Sequence, residues 1–167
     1  MRLAPAAAAL SLALAVTASV GSAQTRDPAP RAAMLIAEGR AALADGQTQA
    51  AIDAFEAALT VDPGYTPILL DLARAARSDD LQGKAIRYYR EALVRDPGNL
   101  AAIAGEGEAL VEKGALEKAK ANLAKLETLC GSCGEAEQLA VTIAAGPPAR
   151  MASAEAAMPE GEGAQAN

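Results

Sequence analysis

The 167-residue chain contains no histidine and no tryptophan, a single phenylalanine, three tyrosines and only two cysteines. Without histidine there is no imidazole to activate a nucleophile, complete a Ser-His-Asp triad or ligate a metal. Two thiols fall short of the four ligands that a structural zinc site needs. No metal and no cofactor is therefore expected. Aromatic residues make up 2% of the chain, although 51% of it is apolar, and alanine supplies most of that share. A core of Ala and Leu suits closely packed helices, whereas sheets favour β-branched and aromatic side chains. The expected fold class is all-α. Basic residues are also in the minority: 15 Lys and Arg stand against 21 Asp and Glu, for a net charge of -6. That balance excludes the clustered cations of a nucleic-acid binder. The stretch GEGEALVEKG, residues 105–114, lacks the Gly-Lys-Ser/Thr of a phosphate cradle. The acidic pairs Asp79 and Asp80, and Glu106 and Glu108, are expected as turn and helix-surface charges, with no apolar pocket to set up an acid/base couple. No catalytic constellation emerges, and a non-enzymatic role is expected.

Residues 1–23 have a positive start at Arg2, an apolar run from Leu3 to Val16, and small residues Gly21 and Ala23 before Gln24. This is the layout of a secretory signal peptide cleaved after Ala23. The expected mature protein is exported, to the periplasm in a Gram-negative host, and free of the membrane after cleavage. Residues 24–31 are expected as a linker. At the other end, residues 147–167 combine prolines, Gly, Ser and acidic residues without periodicity, the composition of a disordered tail.

An internal repeat organises the middle. AAIDAFEAALTVDPG at 50–64 returns as KAIRYYREALVRDPG at 84–98, an offset of 34 residues. Ala51, Ile52, Phe55, Ala58 and Leu59 align with Ala85, Ile86, Tyr89, Ala92 and Leu93. Ile52, Phe55 and Leu59 recur at three and four residues and so share one helical face. A weaker third copy continues the columns with Ala119 and Leu123. Each unit then holds a helix of about 13 residues, a turn (Gly46; Asp79 to Gly83; Gly114), a second helix, and a Pro or Gly stop.

A 34-residue helix-turn-helix period with this Ala, aromatic, Ala and Pro pattern resembles the tetratricopeptide repeat. The resemblance covers residues 32–133 as three units, 32–65, 66–99 and 100–133, followed by a capping helix at 134–146 that turns Ala136, Leu139, Ala140 and Ile143 inward. It implies a right-handed superhelix whose first helices line a concave groove, and a protein or peptide partner held there as on a scaffold. Carried over residue by residue, the groove comprises Ile36, Arg40 and Leu43, then Leu70, Asp71, Arg74 and Arg77, then Ala104, Glu108 and Val111. Arg40, Arg74 and Glu108 share one repeated position, so the groove is expected to be cationic at one end and acidic at the other. Reversal of Arg74 and Arg77 to Glu is expected to abolish partner capture and to leave melting unchanged. The clamp that grips a C-terminal carboxylate in this family finds Ile36, Arg40, Asp71, Ala101 and Gly105 at its positions, and only Arg40 suits it. Cys130 falls where Asp62 and Asp96 stand, Gly131 falls where Pro63 and Pro97 end the earlier units, and Cys133 follows two residues later. A structural disulfide there is expected to fix the corner before the cap; the alternative function is a thiol-disulfide redox protein using the same two cysteines.

Overall fold

The computed structural model describes residues 26–148, and among them it contains seven α-helices and no strand. They are α1 (Pro30–Ala44), α2 (Thr48–Val61), α3 (Pro67–Ser78), α4 (Gln82–Arg95), α5 (Leu100–Glu112), α6 (Leu116–Cys130) and α7 (Gly134–Ala145). The expected signal peptide lies outside the described residues, as does the tail beyond residue 148.

The repeat is visible in the backbone itself. Gly46, Asp80 and Gly114 adopt φ values of 73°, 57° and 82° in the three intra-unit turns, at successive offsets of 34. In each turn the amide three residues past the end of the helix reaches back to close it: Gln47 to Ala42, Leu81 to Ala76 and Ala115 to Leu110, all at 2.8 Å. This is the bond that ends a helix through a left-handed residue. Asp80 fills that role without the freedom of glycine; Asp is among the few residues that tolerate it. The second turn is therefore Asp79 to Leu81, and Gln82 and Gly83, expected within it, belong to α4. Proline sets the start of α1 and α3, where its missing amide is not needed, and α1 takes in residues 30 and 31 of the expected linker. Asn99 caps α5 by accepting from the Ala102 amide at 3.0 Å.

Pairing of helices follows from the small-residue columns. Ala51, Ala85 and Ala119 are fully buried, which lets the helices approach closely. The large column behaves less uniformly. Phe55 lies over Gly39 of its own unit, where an added Cβ would meet its ring at 2.6 Å, whereas the Tyr89 ring lies against Gly105 of the next unit. In the third unit Leu126 is fully buried and Leu123 only half-buried. Leu126 joins Ile103, Ala104, Ala136 and Leu139 in a smaller core beside the main one. Helix α7 packs on α5 and α6, with Leu139 seated at Gly107. Of the face expected to turn inward on α7, Ala136 and Leu139 are buried and Ile143 half-buried, but Ala140 is exposed.

First helices touch along the stack, α1 with α3, α3 with α5 and α5 with α7; the backbones of the second helices stay further apart, α2 and α4 meeting through Glu56, which accepts from Tyr88 Oη at 3.0 Å and pairs with Lys84 at 3.1 Å. The array therefore curves toward its first helices, and these line the inner face. No helix among the described residues is long and apolar enough to cross a membrane.

Candidate functional site

On the inner face, α3 and α5 are covered by their own second helices and by the neighbouring units and leave only a narrow strip for solvent, whereas α1, at the end of the stack, is open along much of its length. Ile36, Ala104 and Val111 fall on the covered sides and are buried. They belong to the interior, which corrects their expected place in the groove. Leu43 and Leu70 are half-buried at its edge. The charged residues do converge, and they meet one another. Asp71 sits beneath two arginines: its Oδ2 accepts from Arg40 Nε at 3.2 Å and Nη2 at 2.7 Å, and its Oδ1 accepts from Arg74 Nη1 at 2.8 Å. The side chains of Arg40 and Arg74 are 57% and 54% exposed, while that of Asp71 is 4% exposed. A buried carboxylate thus holds two guanidiniums at the surface.

One turn further along α3, Arg77 bridges to α5. It donates to Glu108 Oε2 at 2.5 Å and, through Nε and Nη2, to both oxygens of Glu112. Its side chain is only 21% exposed. Burial works to lower the guanidinium pKa, but the hydrogen bonds and charge of Glu112, with the charge of Glu108, outweigh it and hold the pKa above its ordinary value. Arg77 is thus a partly buried staple between α3 and α5, which corrects the expectation that its reversal spares stability. Glu112, and Ser78 beside it, were missed in the sequence. The available signal was helical spacing: Glu112 follows Glu108 by four residues and so shares its face.

Leu43, Arg74, Arg77, Ser78 and Glu112 together line an open cleft of about 450 Å³. Glu106 faces away from it. Expected at the surface, it is buried between α4 and α6, accepting from Arg90 Nε at 2.7 Å and from Asn122 Nδ2 at 3.2 Å. Glu106 and Glu108 are therefore committed to different partners and do not form a couple. No group of three or more metal-ligating side chains occurs among the described residues.

Cys130 ends α6 and Cys133 stands at the N-cap of α7, with Cα atoms 5.7 Å apart, a spacing that suits a disulfide. No proline follows Cys130, so α6 continues one residue past the point where α2 and α4 stop. Gly131, with φ 67°, makes the corner instead. Cys130 meets the carbonyl end of α6, where the partial negative charge of the helix opposes a thiolate.

Residues 42–78 match the family model described as tetratricopeptide repeat. No curated protein matches the sequence. Among solved structures, the Sgt2 TPR domain from Aspergillus fumigatus is similar with a TM-score of 0.64 at 25% identity, over 84% of this chain and 93% of that one. The second TPR domain of human RPAP3, in complex with the HSP70 peptide SGPTIEEVD, has a TM-score of 0.59 at 19% identity, over 68% and 98%. The Yersinia enterocolitica type III secretion chaperone SycD, in complex with a peptide of the translocator YopD, has 0.59 at 18%, over 74% and 92%. Repeat spacing, left-handed turns at the same 34-residue period, and these likenesses agree that the described residues have a tetratricopeptide-repeat fold.

Proposed function

We propose that the protein is a non-enzymatic interaction module of the cell envelope, a scaffold that holds an extended or helical segment of another protein against its inner, first-helix face. The observation that carries this reading is the pair Arg40 and Arg74, half exposed and held by buried Asp71, with Arg74 lining the cleft. Fixed guanidiniums of this kind give directional, charge-assisted hydrogen bonds to a partner. Peptide complexes of the human RPAP3 and SycD domains, similar in fold, support a peptide ligand. Export rests on the apolar run from Leu3 to Val16 and the small residues before Gln24. In an oxidising compartment Cys130 and Cys133 would be joined as a structural disulfide at the α6–α7 corner. Nothing in the family or in the similar folds supports the redox alternative.

A photo-crosslinking residue in place of Ser78, in the cleft, compared with one in place of Val94, which is 83% exposed on the outer helix α4, tests the groove. Adducts from the envelope fraction are expected at position 78 and not at 94; the reverse pattern overturns it. Intact mass of the exported protein tests cleavage before Gln24.

A further inference from the structure

The two charge clusters on the inner face do not cancel within themselves. Arg40 and Arg74 share one carboxylate, Asp71, which leaves one positive charge in excess between α1 and α3. Arg77 is shared by two carboxylates, Glu108 and Glu112, which leaves one negative charge in excess between α3 and α5. Arg74, Arg77 and Glu112 all line the same cleft, with Leu43 and Ser78 among its walls. One opening is therefore bordered by an excess cation on one side and an excess anion on the other, with Leu43 of α1 as its apolar lining residue. Donors remain on the cationic side: Arg40 Nη1 and Arg74 Nε and Nη2 make no hydrogen bond to the described residues.

Building on the groove reading above, we propose that the occupant is an extended segment of mixed charge. Its acidic side chain pairs with Arg40 and Arg74, its basic side chain with Glu108 and Glu112, and an apolar or small residue between them rests on Leu43. The physical reason is complementarity: each excess charge attracts the opposite sign, and juxtaposed like charges penalise the wrong ligand. Asp71 sharpens this choice, because its carboxylate already takes up part of both guanidiniums. A segment carrying only acids meets one excess cation and is repelled by the Glu108–Glu112 side. A segment carrying only bases meets the converse.

The test is a selection from a displayed library of random heptapeptides on the purified protein, counter-selected on Ser78→Trp, which fills the cleft. Selected peptides are then titrated calorimetrically against wild type, Arg74→Gln and Glu112→Gln, each first shown to melt as a folded protein. Enriched peptides are expected to pair an acid with a base. Replacing the peptide's acid by Gln should weaken binding to wild type by up to about fivefold, the upper range of an exposed ion pair, and should add nothing on Arg74→Gln. Replacing its base should behave in the same way with Glu112→Gln. Enrichment of peptides of a single sign of charge, or equal losses on wild type and variants, overturns the charge rule while the groove reading stands. Peptides that bind wild type and Ser78→Trp alike, or no enrichment at all, overturn both.

Discussion

At the scale of single residues, the glycines of the first helices carry more of the packing than the repeat pattern shows. A Cβ at Gly39 would meet the Phe55 ring at 2.6 Å, and one at Gly105 would overlap the Tyr89 ring. Gly105→Ala is therefore expected to lower stability by about 1–2 kcal/mol, because overpacking outweighs the helix propensity that alanine gains. Phe55→Ala removes a fully buried ring and is expected to cost about 3–5 kcal/mol; chemical denaturation of both variants checks these values. Asp62 gives a pH-dependent contact at the entrance of the repeats. Its carboxylate accepts from Arg26 Nη2 at 2.5 Å and Nη1 at 3.0 Å, and from the Ala29 amide at 2.9 Å. The Arg26 hydrogen bonds first, and the Ala29 amide next, hold the carboxyl below its ordinary value. A depressed carboxylate stabilises fully above the unfolded value of about 3.9 and loses that contribution as pH falls through the folded value. Residues 26–29 are thus expected to loosen as pH falls below the ordinary carboxylate value of about 3.9 and to detach below the lower folded value, and, in Asp62→Asn, to detach at neutral pH as well. The Ala29 amide resonance followed through an acid titration reports it; an unchanged resonance contradicts the contact.

At the scale of helices, ion pairs join neighbouring first helices in series: Arg40 of α1 to Asp71 of α3, then Arg77 of α3 to Glu108 and Glu112 of α5. Arg77→Glu brings a third carboxylate against two and is expected to destabilise by about 2–3 kcal/mol, from the lost charged hydrogen bonds. Arg74→Gln removes the half-exposed partner of Asp71 but leaves that carboxylate paired with Arg40, and should stay within about 1 kcal/mol of wild type. Thermal melts separate the two, and equal effects would show that the α3–α5 staple contributes nothing. The α6–α7 corner is a second such joint. The double substitution Cys130→Ser and Cys133→Ser is expected to cost about 2 kcal/mol, the loop-closure value for so short a loop. Partner binding should be unaffected, since the cysteines are not among the residues that line the cleft.

For the molecule as a whole, stacking makes each unit depend on its neighbours rather than on a single central core. The main cluster extends from Ile36 to Ala119, and a second, built on Ile103, Leu126, Ala136 and Leu139, closes the C-terminal end. Leu139→Ala should therefore cost about 3 kcal/mol, and the loss should be local. Amide exchange is expected to accelerate in α5, α6 and α7 while α1 and α2 keep their protection. Uniform acceleration along the chain would show that the array unfolds as one cooperative block.

Helix number, helix pairing and the 34-residue step were legible in the order of residues, because Ile52, Phe55 and Leu59 and their counterparts repeat at intervals that helical geometry maps directly onto one face. The all-α class followed in the same way, from abundant alanine and scarce aromatics. Burial along the first helices was not legible. These helices are covered from more than one side, and a single sequence shows where a helix is apolar without showing how much of its circumference neighbours will cover. Ile36, Ala104 and Val111 therefore turned inward, and Asp71 and Glu106 became buried anchors instead of surface charges. Charge sharing lay still further out of reach. Arg77 and Glu112 are 35 residues apart, and whether one arginine faces one acid or two depends on how consecutive units are rotated and stacked. Helix formation depends on near neighbours in the chain, but the net charge at each end of the groove depends on packing between units, and only the folded stack sets it.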